Sequence, residues 1–180
     1  MPTKQPIATI DWPGDIHGAL KAHGVRQVAY VPDAGHKRLI ELCRADRAMV
    51  AVPLTTEEEG IGLAAGAWLG GERSALLMQS SGVGNCVNTL TLASNCGFPL
   101  LMLVTMRGEW GEFNPWQVPM GQATPEALAV SGVRVLRVDR AEEVAATVQA
   151  AAKLAFNGYA AVAVLISQRM IGTKIFEEAK

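Results

Sequence analysis

Six short apolar runs recur along this chain of 180 residues, at 27–31 (QVAYV), 48–52 (AMVAV), 74–79 (SALLMQ), 99–105 (PLLMLVT), 134–138 (RVLRV) and 160–166 (AAVAVLI). Each has the length of a strand and is rich in Val, Leu, Ile or Met, and most lack the polar alternation of a strand with one wet face. Helix-length segments at about 15–23, 34–45, 57–70, 84–97 and 140–157 lie between most of them. Continuous apolar strands alternating with helices specify an α/β fold: a three-layer domain with a parallel, about six-stranded sheet covered by helices on both faces. No linker, charge block or low-complexity segment interrupts the pattern, so residues 1–180 read as a single domain, long enough for a sizeable core.

Charge and cysteine usage exclude several function classes. The net charge is −1 with acids and bases interspersed, which leaves no electrostatic footprint for nucleic acid or an anionic membrane. No apolar run approaches the ~20 residues of a membrane helix, and the N-terminal MPTKQPIATIDW lacks the apolar core of a signal peptide. Cys43, Cys86 and Cys96 are odd in number and lack metal-ligand spacing, so they read as packing residues of a reduced, cytoplasmic protein.

Residues 106–124, MRGEWGEFNPWQVPMGQAT, show no clear periodicity and carry two tryptophans, two prolines and three glycines. A loop longer than about 12–15 residues in a compact domain is usually functional or disordered. Trp110, Phe113, Trp116 and Val118 argue against disorder, so this segment is expected to pack on a site or a partner.

Ser80-Ser81-Gly82-Val83-Gly84-Asn85 follows the third apolar run and is expected to turn into a helix beginning near Gly84. Two readings fit it: backbone amides at a helix start that receive a ligand, or a tight turn with a serine cap. A dinucleotide fingerprint is disfavoured, since Val87 stands where its third glycine belongs. His17 and His23 read as surface residues of an amphipathic helix. His36 stands closer to a potential site, because Val31-Pro32-Asp33-Ala34-Gly35-His36 leaves the first strand at the sheet edge where α/β proteins bind ligands.

Glu57, Glu58 and Glu59 open a helix whose remaining residues are almost uncharged. Successive helical residues point roughly 100° apart, so the three carboxylates cannot share one environment. A cap on Thr55 or Thr56, with Glu58 or Glu59 three positions on, accounts for two of them. Gly62, Gly66 and Gly70 recur on one face of this helix, although an interior glycine costs about 0.8–1.0 kcal/mol relative to alanine. Such a stripe admits another backbone, most simply a helix across a subunit interface, and a carboxylate at the start of that helix would be dry.

The segment "TEEEGIGLAAGAWLGG" resembles the glutamate helix of thiamine diphosphate (ThDP) enzymes, in the domain that binds the cofactor's aminopyrimidine ring; Glu57 and Gly66 have the family's nine-residue spacing. "VPD", "MQSSGVGNCVNTL" and "RGEW…PWQVPMGQATPEAL" extend the resemblance in the right order from about residue 15 to 168. Together they are similar to the α subunit or corresponding domain of sulfopyruvate and phosphonopyruvate decarboxylases. The resemblance implies a catalytic Glu57 that hydrogen-bonds the pyrimidine ring and shares a proton with it. It also implies cofactor-binding Gly82, Gly84 and Asn85, with Asp33, His36, Arg107 and Gln122 near the substrate.

What the resemblance leaves out implies a partner. The family's G-D-G…N segment, which holds Mg²⁺ and the diphosphate, has no counterpart here; Gly14-Asp15 is followed by Ile16. A β subunit is expected to bring that half-site, so the enzyme would be a hetero-oligomer that shares ThDP, with Mg²⁺ on the partner and no metal ligands in this chain. The acidic residue that some members carry two positions after the loop proline is displaced by one, since Asp33 follows Pro32 directly. The substrate would be a small 2-oxo acid, 3-sulfopyruvate or 3-phosphonopyruvate, decarboxylated to the aldehyde. Arg107 would meet its second anionic group or pair with Glu109 or Glu112. A catalytically silent assembly subunit, or a subunit of another ThDP carboligase or lyase, remains the alternative.

Overall fold

The computed structural model describes residues 10–172. The N-terminal residues on which the signal-peptide reading rests lie mostly outside them. In chain order the elements are α1 (Trp12–Ala22), β1 (Val25–Tyr30), α2 (Lys37–Ala45), β2 (Val50–Pro53), α3 (Glu57–Leu69), β3 (Arg73–Gln79), α4 (Ser80–Cys86), α5 (Thr91–Cys96), β4 (Leu100–Thr105), α6 (Val118–Val130), β5 (Arg134–Val138), α7 (Val144–Gly158), β6 (Ala161–Ile166) and α8 (Gln168–Ile171), with short 3₁₀ turns ahead of α6 and α7.

The strands form one six-stranded sheet in the order β2-β1-β3-β4-β6-β5, and every pairing is parallel. β4 and β6 lie inside the sheet, and all their residues are buried, which is why LLMLVT and AVAVLI carry no charge. The strand period of two sends Leu77, Leu101, Leu103, Val162 and Val164 into one core layer, with α1, α2 and α7. Leu76, Met78, Met102, Val104 and Leu165 enter the opposite layer, with α3, α4 and α6. The three-layer α/β expectation is therefore met.

Strand order fixes where a ligand can sit. β1 has β2 on one side and β3 on the other, and the crossovers through α2 and α3 lie on opposite faces. That reversal leaves a crevice beyond the carboxyl ends of β1 and β3, the position where open α/β sheets bind ligands.

Several expected boundaries shift. The first helix begins at Trp12 and not near 15, so Gly14 and Asp15 are part of α1, capped by Asp11 Oδ1, which accepts from the Gly14 N–H at 3.3 Å. The helix expected over 84–97 is two helices, α4 and α5, joined by a turn at 87–90. Residues 118–124 are not loop but the first half of α6. Pro119 sits in its first turn, where the missing N–H costs nothing, while Pro125 is tolerated inside it.

Candidate active site

The three glutamates separate as the helical rotation requires. Thr56 is extended (φ −143°, ψ 153°) and α3 starts at Glu57, which turns inward and is 8% exposed, whereas Glu58 and Glu59 are exposed. Glu59 supplies the cap: its Oε2 accepts from the Thr55 N–H at 2.9 Å, and the Thr56 side chain makes no capping bond.

Glu57 reaches its place because Gly82 has no side chain. A Cβ on Gly82 would lie 2.3 Å from the Glu57 carboxyl carbon, so α4 and the carboxyl approach as closely as two groups can. Asn85, one turn further along α4, donates from Nδ2 to Glu57 Oε2 at 2.9 Å. Glu57 Oε1 has no hydrogen bond among the described residues. The Glu57 side chain lines a cleft of about 140 Å³ with Val31, Pro32, Asp33, Gln79 and Ser81. These are the residues that leave β1 and β3, so the cleft is the switch-point crevice. None of its lining residues is a cation. A carboxyl group removed from water without a cation is costly unless something donates to it.

Glycines 82 and 84 belong to α4 and not to a turn ahead of a helix, because α4 starts at Ser80. Gly82 makes room for Glu57, and Gly84 lies under Met120 Sδ of α6, 3.1 Å from where its Cβ would be. Ser80 is not a cap; its hydroxyl is buried and accepts from the Arg107 N–H at 3.0 Å.

Asp33 stands where three clefts meet, one of them a cavity of about 400 Å³ that it lines with Tyr30, Lys37 and Arg44. Besides the Glu57 cleft it also lines one of about 150 Å³ with Gly35, Thr105 and Arg107. Its Oδ1 accepts from Gln79 Nε2 at 3.0 Å and its Oδ2 from the Thr105 hydroxyl. His36, expected near the substrate, is fully enclosed. Its Nε2 donates to the Leu103 carbonyl at 3.0 Å, so the ring ties the β1–α2 loop to β4 and offers no surface to a ligand. Burial holds its pKa below the ordinary histidine value, against the Asp33 carboxylate and the Leu103 and Met78 carbonyls, which pull it up.

Arg107 is buried and pairs with Glu112, the pairing weighed above as an alternative to anion binding, but away from the surface. Nε and Nη2 grip the two carboxyl oxygens at 2.8 and 2.7 Å. Glu109 instead pairs with Arg137. Gln122 is exposed on α6 and lines none of these clefts. Gln168, which no pattern singled out, ties the aromatic segment down: its Oε1 accepts from the Glu109 and Trp110 amides and its Nε2 donates to Glu112. Gln79 and Thr105 were also missed, although each is a polar residue ending an apolar strand on the ligand-binding edge.

The thiols behave as two packing residues and one surface residue. Burial, with the Glu57 and Glu58 charges adding to it, pushes the Cys86 thiol up to about 12, and burial raises Cys43 to about 11. Cys96 is exposed on α5, contrary to the packing expectation. The glycine stripe of α3 lies on an open face: a Cβ on Gly62 or Gly66 would meet nothing within 4 Å.

Residues 15–112 match the family model described as thiamine pyrophosphate enzyme, N-terminal TPP binding domain. Over 116 residues the chain is 43% identical to sulfopyruvate decarboxylase subunit alpha of Methanothermobacter thermautotrophicus, covering 64% of this chain and 70% of that one. It is 37% identical over 116 residues to phosphonopyruvate decarboxylase of Streptomyces viridochromogenes, covering 63% of this chain but 29% of that longer one. Among solved structures, 2-oxoglutarate:ferredoxin oxidoreductase from Magnetococcus marinus superposes with a TM-score of 0.69 at 15% identity, over 89% of this chain and 29% of that one, a likeness of fold alone. The chain belongs to the family of thiamine pyrophosphate enzymes with this TPP binding domain, alongside the sulfopyruvate decarboxylase α subunits.

Proposed function

We propose that this chain is the pyrimidine-binding subunit of a two-subunit 2-oxo acid decarboxylase that acts on 3-sulfopyruvate or 3-phosphonopyruvate. The observation that carries the reading is Glu57: a buried carboxyl in the switch-point crevice, with one oxygen fixed by Asn85 and the other without a hydrogen bond among the described residues. The residues suit thiamine diphosphate. Gly82 lets the Glu57 carboxyl lie against α4 at the cleft, and Glu57 Oε1 can hold and share a proton with a ring nitrogen. When bound, the cofactor would supply the sink for the electron pair left behind as CO2 departs. Asn85 keeps Glu57 oriented, and Pro32 and Val31 wall the cleft.

The aldehyde takes up a proton where CO2 departs, and we assign that proton to Asp33, which lines the Glu57 cleft and the neighbouring one. The substrate's second anion needs charge-assisted donors. Arg107 lines the neighbouring cleft but is committed to Glu112, so the partner is assigned most of that duty.

The diphosphate and Mg²⁺ are assigned to a β subunit carrying the G-D-G…N half-site. Among the described residues no group of three His, Cys, Asp or Glu side chains could hold a metal ion. Among them, too, no helix is long and apolar enough to cross a membrane, and a cytoplasmic location is part of the proposal.

The test is reconstitution. The purified chain alone is expected to bind ThDP weakly and to release no CO2 from sulfopyruvate, whereas adding the partner chain, ThDP and Mg²⁺ restores turnover. Full activity from the single chain would overturn the two-subunit reading.

A further inference from the structure

Asp33 does not face its cleft alone. Gln79, the last residue of β3, donates its amide Nε2 to Asp33 Oδ1 at 3.0 Å, and Ser81 Oγ lies 2.7 Å from the Gln79 carbonyl Oε1 at the far end of the same amide. Thr105, the last residue of β4, donates to Oδ2 from a fully buried position. Gly35 leaves room for that bond, since a Cβ there would lie 2.8 Å from Thr105 Cγ2 and 2.9 Å from Asp33 Oδ2.

Each of these partners is neutral, and the three can serve Asp33 in either proton state. With Asp33 ionised, the observed arrangement is required: turning the Gln79 amide over would set its Oε1 against a carboxylate oxygen, acceptor against acceptor. With Asp33 protonated, the turned amide becomes favourable. The Asp33 O–H then donates to Gln79 Oε1, while Gln79 Nε2 donates to Ser81 Oγ. A hydroxyl both donates and accepts, so Ser81 satisfies either end of the amide, and Thr105 likewise can donate or accept. A carboxylate held by arginine or lysine has no such freedom, because those side chains only donate.

We propose that Gln79 is a positioning residue whose amide follows the proton state of Asp33, with Ser81 as the hydroxyl that permits the reversal. The inference rests on the proton-handling role given to Asp33 above. Arg107, Lys37 and Arg44 line clefts shared with Asp33, and His36 feels its charge, but the side chains hydrogen-bonded to the carboxyl are neutral, so the part-buried Asp33–Gln79 contact can be kept in either proton state.

The experiment has two arms. In the full chain alone, side-chain amide NMR should place the Gln79 Nε2 protons in a slowly exchanging, shifted pair that moves as Asp33 titrates and returns to ordinary values in Asp33→Asn. In the reconstituted complex, Gln79→Leu should lower kcat by about 10–100-fold, the loss of one hydrogen bond to a charged group, with KM changed by less than about threefold. Ser81→Ala should lower kcat, and Ser81→Thr, which keeps the hydroxyl, should restore it. A purely structural role would leave Ala and Thr alike. Gln79 resonances indifferent to Asp33→Asn, or a wild-type kcat for Gln79→Leu, would overturn the proposal. A complex that releases no CO2 would overturn the decarboxylase reading instead, while the NMR arm still decides the Gln79–Asp33 linkage.

Discussion

Glu57 and Glu112 are both carboxyl groups taken almost out of water, and the chain treats them in opposite ways. Glu112, with a side chain 3% exposed, accepts from Arg107 Nε and Nη2, from the Gly108 and Asn114 amides and from Gln168 Nε2. Burial alone would raise its pKa, but these donors hold it down at about 2. Glu57, 8% exposed, has one neutral donor on one oxygen and a cleft beside it. Burial is common to both, so burial does not distinguish a working carboxyl from a structural one. The deficit of donors is what the proposed function turns on: Glu112 closes the aromatic segment onto Arg107 and α8, while on that proposal Glu57 keeps an acceptor for a ligand.

Exchanging each carboxylate for its amide should separate the two roles most sharply. Glu57→Gln in the reconstituted complex should reduce kcat by about 10²–10⁴-fold, the range for a lost acid–base group. Its unfolding free energy should stay within about 0.5 kcal/mol of wild type, since a neutral amide costs less to bury and can still accept from Asn85. A large loss of stability without a loss of proton exchange at the cofactor would place Glu57 with Glu112 as a structural group.

Glu112→Gln should do the reverse. Leaving the buried Arg107 guanidinium without its counter-charge should cost about 3–5 kcal/mol in urea unfolding. The pH dependence carries the same signature. Because the folded-state pKa is depressed, the stabilisation by Glu112 is complete above its unfolded value near 4.5 and is lost as pH falls towards about 2. That loss is on the order of 3 kcal/mol, and the variant should lack it. His36 adds a separate loss, which begins below its unfolded value of 6.5 because the buried ring resists protonation, and the variant should retain that part.

Gly82→Ala tests the geometry rather than the chemistry. Its Cβ would overlap the Glu57 carboxyl, so the carboxyl or α4 must shift, and misplacement by an ångström can cost about 10²-fold in rate. Gly62→Ala is the control, since its Cβ meets nothing within this chain. It should stabilise the single chain by about 0.5–1 kcal/mol. Weaker assembly with the partner despite that gain would mark the stripe as an interface.

How far the sequence discloses the fold depends on the element. The six strands are legible within about two residues: the inner β3, β4 and β6 because a strand buried on both faces is almost continuously apolar, and the edge strands β2 and β5 because short runs of valine and leucine mark them despite their exposure. Helix α6 is hidden because Pro119, Gly121 and Pro125 read as breakers. Gly121 is there for packing: a Cβ on it would stand 1.9 Å from the Arg107 carbonyl oxygen, so the helix can only lie where it does with glycine at that position. Glu57 is legible because three carboxylates on a helix that is otherwise apolar cannot all be wet. Asp33, Gln79 and Thr105 come together from β1, β3 and β4, and no spacing within one segment records a meeting across three strands. Arg107 and Glu112 are close in sequence, but the burial of their pair depends on Gln168, 56 residues beyond Glu112.

The smallest expected effects belong to the two glutamates beside Glu57, and they bear on the comparison because only side-chain direction separates the three. Glu59 accepts from the Thr55 N–H, one of the donors that precede the first helical turn, and its charge also meets the positive end of α3. Glu59→Ala loses both terms and should cost about 1 kcal/mol in unfolding free energy. Glu59→Gln keeps an acceptor and loses only charge, and Glu58→Gln, on an exposed residue, loses charge alone, so each should cost about 0.3–0.5 kcal/mol. All three variants should turn over within about twofold of wild type in the complex, because neither residue lines the cleft and a dipole contribution of a few tenths of a kcal/mol is too small to change a rate by more. A Glu58→Gln complex as slow as Glu57→Gln would mean that α3 enters the assembled enzyme rotated by one residue from its position here, and that Gly82 faces a different carboxyl when the partner is bound.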